Sequence, residues 1–304
     1  MMSELIRISK EHHVFHFDAN AEPIVVVDPG TTLEIQTWDC YTGQVTSEAD
    51  THRTINNDLI NSATGPIGVR GAEPGDSLSV TLLNIQPDEI GSAMCQPEWG
   101  QLGHHVKDAT RMFHVKDGIV RMNDRVSFPA SPMFGVIGVS PESGSISTMP
   151  AGRHGGNMDN NLHGIGATIH LPVFQPGGQL AIGDMHASMG DGEISGTGVE
   201  IGGLGTIKVD LIKGKHGNWP VTETADSIIT HGTAEDINEA MTIACEEAYR
   251  LLVDEWEFSP EDAFIFLSVA GDLGVAQNVH PCPGTVIGKM KFPKISAVPQ
   301  PFKI

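Results

Sequence analysis

Up to about residue 215 the chain alternates apolar and polar positions in short runs separated by turn signals. The apolar run Ile24, Val25, Val26, Val27 leads through the turn Asp28-Pro29-Gly30 into residues 31–37, where Leu33 and Ile35 alternate with polar neighbours. From Ser77, Leu78, Val80 and Leu82 fall on one face of a strand, Ser79 and Thr81 on the other. Ile207, Val209 and Leu211 repeat the pattern across 205–213. Further strands are predicted over 112–116, 136–139, 167–173, 179–183 and 193–201. Strands this short and frequent fit an antiparallel sandwich or barrel rather than a βαβ fold.

After about residue 230 the period changes. Thr233-Ala234-Glu235-Asp236 resembles a capping box with Asp in place of Glu, predicting a helix to about Trp256. Ile237, Ala240, Met241, Ala244, Ala248, Leu251 and Leu252 form its apolar stripe. Ser259-Pro260-Glu261-Asp262 opens a second helix with an N-cap, a proline at the first position and an acidic first turn. That helix is apolar nearly all round and is expected to be buried. A strand over 285–292 follows. The expected fold is mainly β: an antiparallel β-sandwich-like body over residues 1–215 carrying the site, with a C-terminal α+β segment over 216–304 packed on it as one unit.

Composition narrows the function classes. The 304 residues carry 38 acidic and 18 basic side chains, a formal charge of −20. Such a surface repels phosphate backbones and anionic membranes, so neither nucleic acid nor membrane is an expected partner. The 39% hydrophobic content excludes general disorder, and 35 glycines with 19 prolines agree with many turns. Cys40, Cys95, Cys245 and Cys282 form no paired motif. Residues 1–15 contain no apolar leader, and a cytoplasmic protein is expected. Only 18% of residues are charged, below the roughly 25% usual for soluble domains. The uncharged surface this leaves predicts a homo-oligomer, a dimer or an assembly of dimers.

The chemistry-bearing residues concentrate between 152 and 200. Asp184 and His186 stand two apart, so on a strand they share a face and can belong to an oxygen/nitrogen metal site, with Asp159 as a third donor. Solvated surface residues would give the same spacing. Gly190-Asp191-Gly192 reads as a turn, and Glu193 after it serves as a general base only if buried. Cys40 follows the 31–37 strand and reads either as an amidase nucleophile or, more commonly for a lone cysteine, as a small buried apolar group.

Taken together these segments resemble the acetamidase/formamidase family. The matching pieces are Trp38-Asp39-Cys40 with Gly43-Gln44, residues 61–67, Gly71-Ala72-Glu73-Pro74-Gly75-Asp76, residues 154–159, Leu171-Pro172-Val173 and residues 183–200. The pairing of Gly-Gly-Asn-Met-Asp with Gly-Asp-x-His-Ala-x-Met-Gly-Asp-Gly-Glu is the most specific. The resemblance implies hydrolysis of short amides such as formamide and acetamide to carboxylate and ammonia, on a β-sandwich-like body with an additional α/β part. It also implies a divalent metal, zinc in the first instance and calcium as the alternative, with Asp39, Asp159, Asp184 and His186 as candidate ligands. Glu193 is then the candidate base, and Asn157 with Gly155 and Gly156 the candidate oxyanion and substrate contacts. Two rival readings stay open at this point: a metal-independent amidase acylated on Cys40, and a non-catalytic calcium-binding sandwich.

Overall fold

The alternation builds two facing sheets in a computed structural model that describes residues 5–215, 217–279 and 286–295. The larger sheet has nine strands in the order Ile6–Ile8, Thr31–Thr37, Gly203–Ile212, Ser77–Pro87, Thr168–Pro172, Val221–Glu223, Ser227–Ala234, Val286–Pro293, Asp272–Gln277. All its pairings are antiparallel except the first. The facing sheet runs Ala151–Gly152, Gly155–Asn157, Met133–Gly138, Leu180–His186, Ala63–Val69, His13–Val14, with Val25–Val27 parallel to Ala63–Val69. A four-stranded sheet over Ile90–Cys95, Ala109–Lys116, Ile119–Arg121 and Ser127–Pro129 flanks them. The mainly β, antiparallel expectation is met.

The core lies between the two large sheets. Leu33, Ile35, Leu78, Val80, Leu82, Ile207 and Val209 from one meet Ile67, Phe134, Ile137, Leu180 and Ile182 from the other, all buried. A bulge tunes this packing: the register slips between Thr206 and Ile207, so Leu82 and Ile85 both turn inward while Leu83 is left exposed. Cβ atoms on Gly203 and Gly205 would strike Met185 Sδ and the Phe134 ring at 2.7 and 2.6 Å, so those glycines set how closely the sheets approach.

Three local expectations are corrected. Residues 193–201 form no strand. Turns at 194–196 break the run, and only its end makes ladder-like bonds: Val199 with Ala187 and Ser188, Glu200 with Ser92, and Ile201 with Met185. Thr233 and Ala234 do not cap the first helix either, because they pair with Ile287 and Val286 in the large sheet. Helix α1 (Ile237–Arg250) is capped by Asp236, whose carboxylate accepts from the backbone N–H of Asn238 and Glu239 at 2.9 and 3.1 Å. Helix α2 (Pro260–Ala270) has the expected Ser259 cap and Pro260 start but is not buried. Ala263 and Leu267 pack inward, while Phe264, Ile265 and Val269 are 74%, 58% and 77% exposed. Hydropathy reports which residues favour burial, whereas the single chain supplies a neighbour for only one face of this edge helix. The predicted 285–292 strand is found as Val286–Pro293. Residue 285 and Cys282 lie outside the described residues.

Candidate active site

The Leu180–His186 strand is central in its sheet and buried throughout, so Asp184 and His186 near its end are withdrawn from solvent. His186 Nε2 lies 3.6 Å from Asp184 Oδ2 and 3.0 Å from Glu200 Oε2. Glu200 arrives through bridges to both Ser92 and His186. Asp159 follows the Gly155–Asn157 strand, held as the backbone N–H groups of Met158 and Asp159 donate to the Gly135 carbonyl at 2.9 and 3.2 Å. Its Oδ2 accepts from Gln277 Nε2 at 3.1 Å. Glu193, in the turn after Gly192, completes the cluster. Ligand-type atoms of Asp159, His186 and Glu193 lie within 4.8 Å of one another, as do those of Cys40, Asp184 and Glu200. Above them opens a cavity of about 440 Å3.

Four carboxylates buried around one imidazole repel each other and lack hydration, which moves their titration. Burial, reinforced by Asp159, lifts Glu193 well above the usual carboxylate range. Burial and Asp184 raise Glu200 to about 8 and Asp159 to about 7, against the pull of His186. At Asp184 burial is overcome by the attraction of His186, and its carboxyl is held below its ordinary value. His186 moves the other way: burial disfavours its cation, but Glu200 and Asp184 more than compensate and raise it well above the ordinary imidazole value. Burial, Asp184 and Glu200 all raise the Cys40 thiol, which donates to Asn61 Oδ1 at 2.7 Å.

Backbone strain is concentrated here. Asn61, Asp159, Asp184 and Glu193 all line the cavity and all adopt left-handed φ, at 55°, 33°, 52° and 44°. Such residues cost on the order of 1 kcal/mol or more each and persist where the surroundings over-determine them, as functional sites do. Two glycines supply room. A Cβ on Gly135 would stand 2.5 Å from Asp159 Oδ1 and 2.6 Å from Asp184 Oδ2, and one on Gly198 would stand 2.6 Å from His186 Nδ1.

Of the site residues expected from the sequence, Asp159, Asp184, His186 and Glu193 converge, and Asn157 lines the same cavity with its Oδ1 unpartnered. Asp39 stays outside both ligand groups and outside the cavity lining, its carboxylate accepting from the Gly43 N–H at 3.0 Å. Gly155 and Gly156 also fall outside the lining. They let strands approach, since a Cβ on either would meet the carbonyl of Ile137 or Pro150 at 2.3 or 2.5 Å. Glu200, Gln277 and Gly135 were not singled out by the sequence. Asp191 lies exposed in its turn, in an ion pair with Lys289.

A set of oxygen and nitrogen donors buried beneath a cavity suits a divalent metal. Asp159 Oδ1, Asp184 Oδ1 and His186 Nδ1 are buried without a hydrogen-bond partner, as unfilled ligand atoms would be. An imidazole among carboxylates fits zinc better than calcium.

Fold and site together define a mainly β protein with a carboxylate–imidazole centre buried beneath an open cavity. The chain belongs to the acetamidase/formamidase family, whose model matches residues 7–146 and 142–293. It is 28% identical to the acetamidase of Mycolicibacterium smegmatis over 278 residues, 69% of this chain and 68% of that one. To the formamidase of Methylophilus methylotrophus it is 27% identical over 250 residues, 62% of this chain and 61% of that one. Across the curated relatives the match spans between 61% and 68% of their length. The acetamidase structure from Bacillus halodurans superposes with a TM-score of 0.92 at 35% identity, covering 95% of this chain and 97% of that one. No helix of the described residues is long and apolar enough to cross a membrane.

Proposed function

We propose that the protein hydrolyses linear amides, releasing a carboxylate and ammonia, at the cluster of Asp159, Asp184, His186, Glu193 and Glu200. The observation that carries the reading is this buried set of proton-carrying and ligand-type groups at the floor of a cavity open to small molecules, in a chain of this family. Asp159 and His186, with Asp184 and Glu200 beside them, would hold a divalent metal, zinc being favoured by the donor set. When bound, such an ion lowers the pKa of water and polarises a carbonyl.

The chain's own residues do the rest. As its carboxylate, Glu193 takes the proton of the attacking water and, because an amide nitrogen must be protonated to leave, delivers it to the departing nitrogen; its raised affinity for a proton strengthens it as that base. Asn157 orients the carbonyl oxygen through its side-chain amide. Cys40 is held as the thiol by burial and by two carboxylates, which disfavours the acyl-enzyme alternative.

We also infer that two copies assemble. The exposed apolar face of Phe264, Ile265 and Val269 continues into Tyr249 and into Leu273 on the sheet's last strand, beside a groove that Phe264 itself helps to line. A face carrying both groove and protrusion suits a second copy across a two-fold axis, which supports a homodimer.

The deciding experiment measures ammonia release from formamide and acetamide by native protein, chelated protein and His186→Ala. Release by native protein alone is expected. No release by native protein would overturn amide hydrolysis, and full release after complete chelation would overturn the metal.

A further inference from the structure

The cavity is much larger than a formamide or acetamide molecule needs. Its 440 Å3 falls within the roughly 300–1,000 Å3 of pockets that enclose drug-sized ligands, whereas acetamide is far smaller than such a ligand. It is also graded. Its floor is the buried polar cluster, while Tyr41, Ile60, Trp99, Met149 and Val279 give it apolar walls. Ile60, Trp99 and Met149 are only half-buried, and Arg53 and Asn57 are exposed, so the walls lead outward to a polar rim. Trp99 is seated firmly: a Cβ on Gly196 would meet its Nε1 at 2.2 Å and Val279 Cγ1 at 3.2 Å.

The floor orients a substrate. Gln277 Nε2 donates to Asp159 Oδ2, so Gln277 presents Oε1, which is buried and unpartnered. A free acceptor at the floor matches the N–H groups of a primary amide. With the amide nitrogen at that end, the acyl chain points along the apolar walls.

We propose, resting on the amide-hydrolysis reading above, that the preferred substrates are primary amides of larger apolar acyl groups, of about five to ten heavy atoms, rather than formamide or acetamide. Filling such a cavity excludes water and turns acyl burial into transition-state binding. Each methylene buried is worth roughly fourfold in kcat/KM.

The test is kcat/KM for formamide, acetamide, butyramide, hexanamide and phenylacetamide, by ammonia release. At least a tenfold rise from acetamide to butyramide, and a further rise to hexanamide, is expected. Ile60→Trp and Met149→Trp, two separate fillings of the outer cavity, should each lower the hexanamide-to-acetamide ratio at least tenfold. A flat or falling series with acetamide hydrolysed overturns this proposal and leaves amide hydrolysis standing. Hydrolysis of none of the five overturns both.

Discussion

Glu200→Gln tests the charge crowding in the cluster through stability rather than turnover. In the metal-free protein the Glu200 carboxyl rises from 4.5 to about 8. Between those values the folded state keeps a proton that the unfolded state has lost, so this group's stabilisation is full below pH 4.5 and is lost as pH rises through 8. Crossing from pH 5.5 to pH 8 covers most of that window and removes on the order of 3 kcal/mol. For a chain of this length that corresponds to a fall in Tm of about 5 °C. His186, also raised, acts in the same direction, and removing the Glu200 charge weakens its shift too. The buried neutral histidines His154 and His231, both lowered to about 4, act in the opposite direction below pH 6.5. Their effect is common to both proteins and cancels in the comparison. The assay is thermal unfolding of chelated native protein and Glu200→Gln across pH 5.5–8.5. The variant should gain on the native protein as pH rises, by about 5 °C over the range. Parallel curves would refute the inference that Glu200 is forced to titrate by its neighbours.

Gly135→Ala should cost at least a hundredfold in amide turnover, because its Cβ occupies the space between Asp159 and Asp184, whereas Gly190→Ala, which meets nothing within 4 Å, should stay within twofold in the same assay. Cys40→Ser should keep at least a tenth of the native rate, and mass spectrometric detection of an acyl group on Cys40 would contradict the assignment. Native protein should scatter light as a multiple of 32.5 kDa and Phe264→Glu as a single chain. A native mass of one chain would refute the apolar-face argument.

What the sequence made legible follows the range of the interactions involved. Alternation located Thr31–Thr37, Ser77–Pro87 and Gly203–Ile212, because facing a core is a local property of each strand. The two-residue spacing of Asp184 and His186 implied a shared face, and their side chains lie 3.6 Å apart. The resemblance added Asn157 and strengthened Asp159 and Glu193. Glu200 and Gln277 were invisible because only pairing to Ser92 and a bulge beside Gly192 bring them in. The 193–201 run misled because its alternation lacks a partner strand along most of its length. Asp39 enters as a ligand through the resemblance alone, and its oxygen turns back to cap its own loop.

The strand order of the large sheet also has a consequence in time. Thr31–Thr37 is flanked by Ile6–Ile8 on one side, but its other neighbour is Gly203–Ile212, which in turn pairs with Ser77–Pro87. On a ribosome moving at about 5–20 residues per second, the early strand therefore waits on the order of ten to forty seconds for that neighbour. Through that interval Leu33 and Ile35 lack the sheet they will be buried in, and the nascent chain carries an open, apolar strand edge of the kind that chaperones cover.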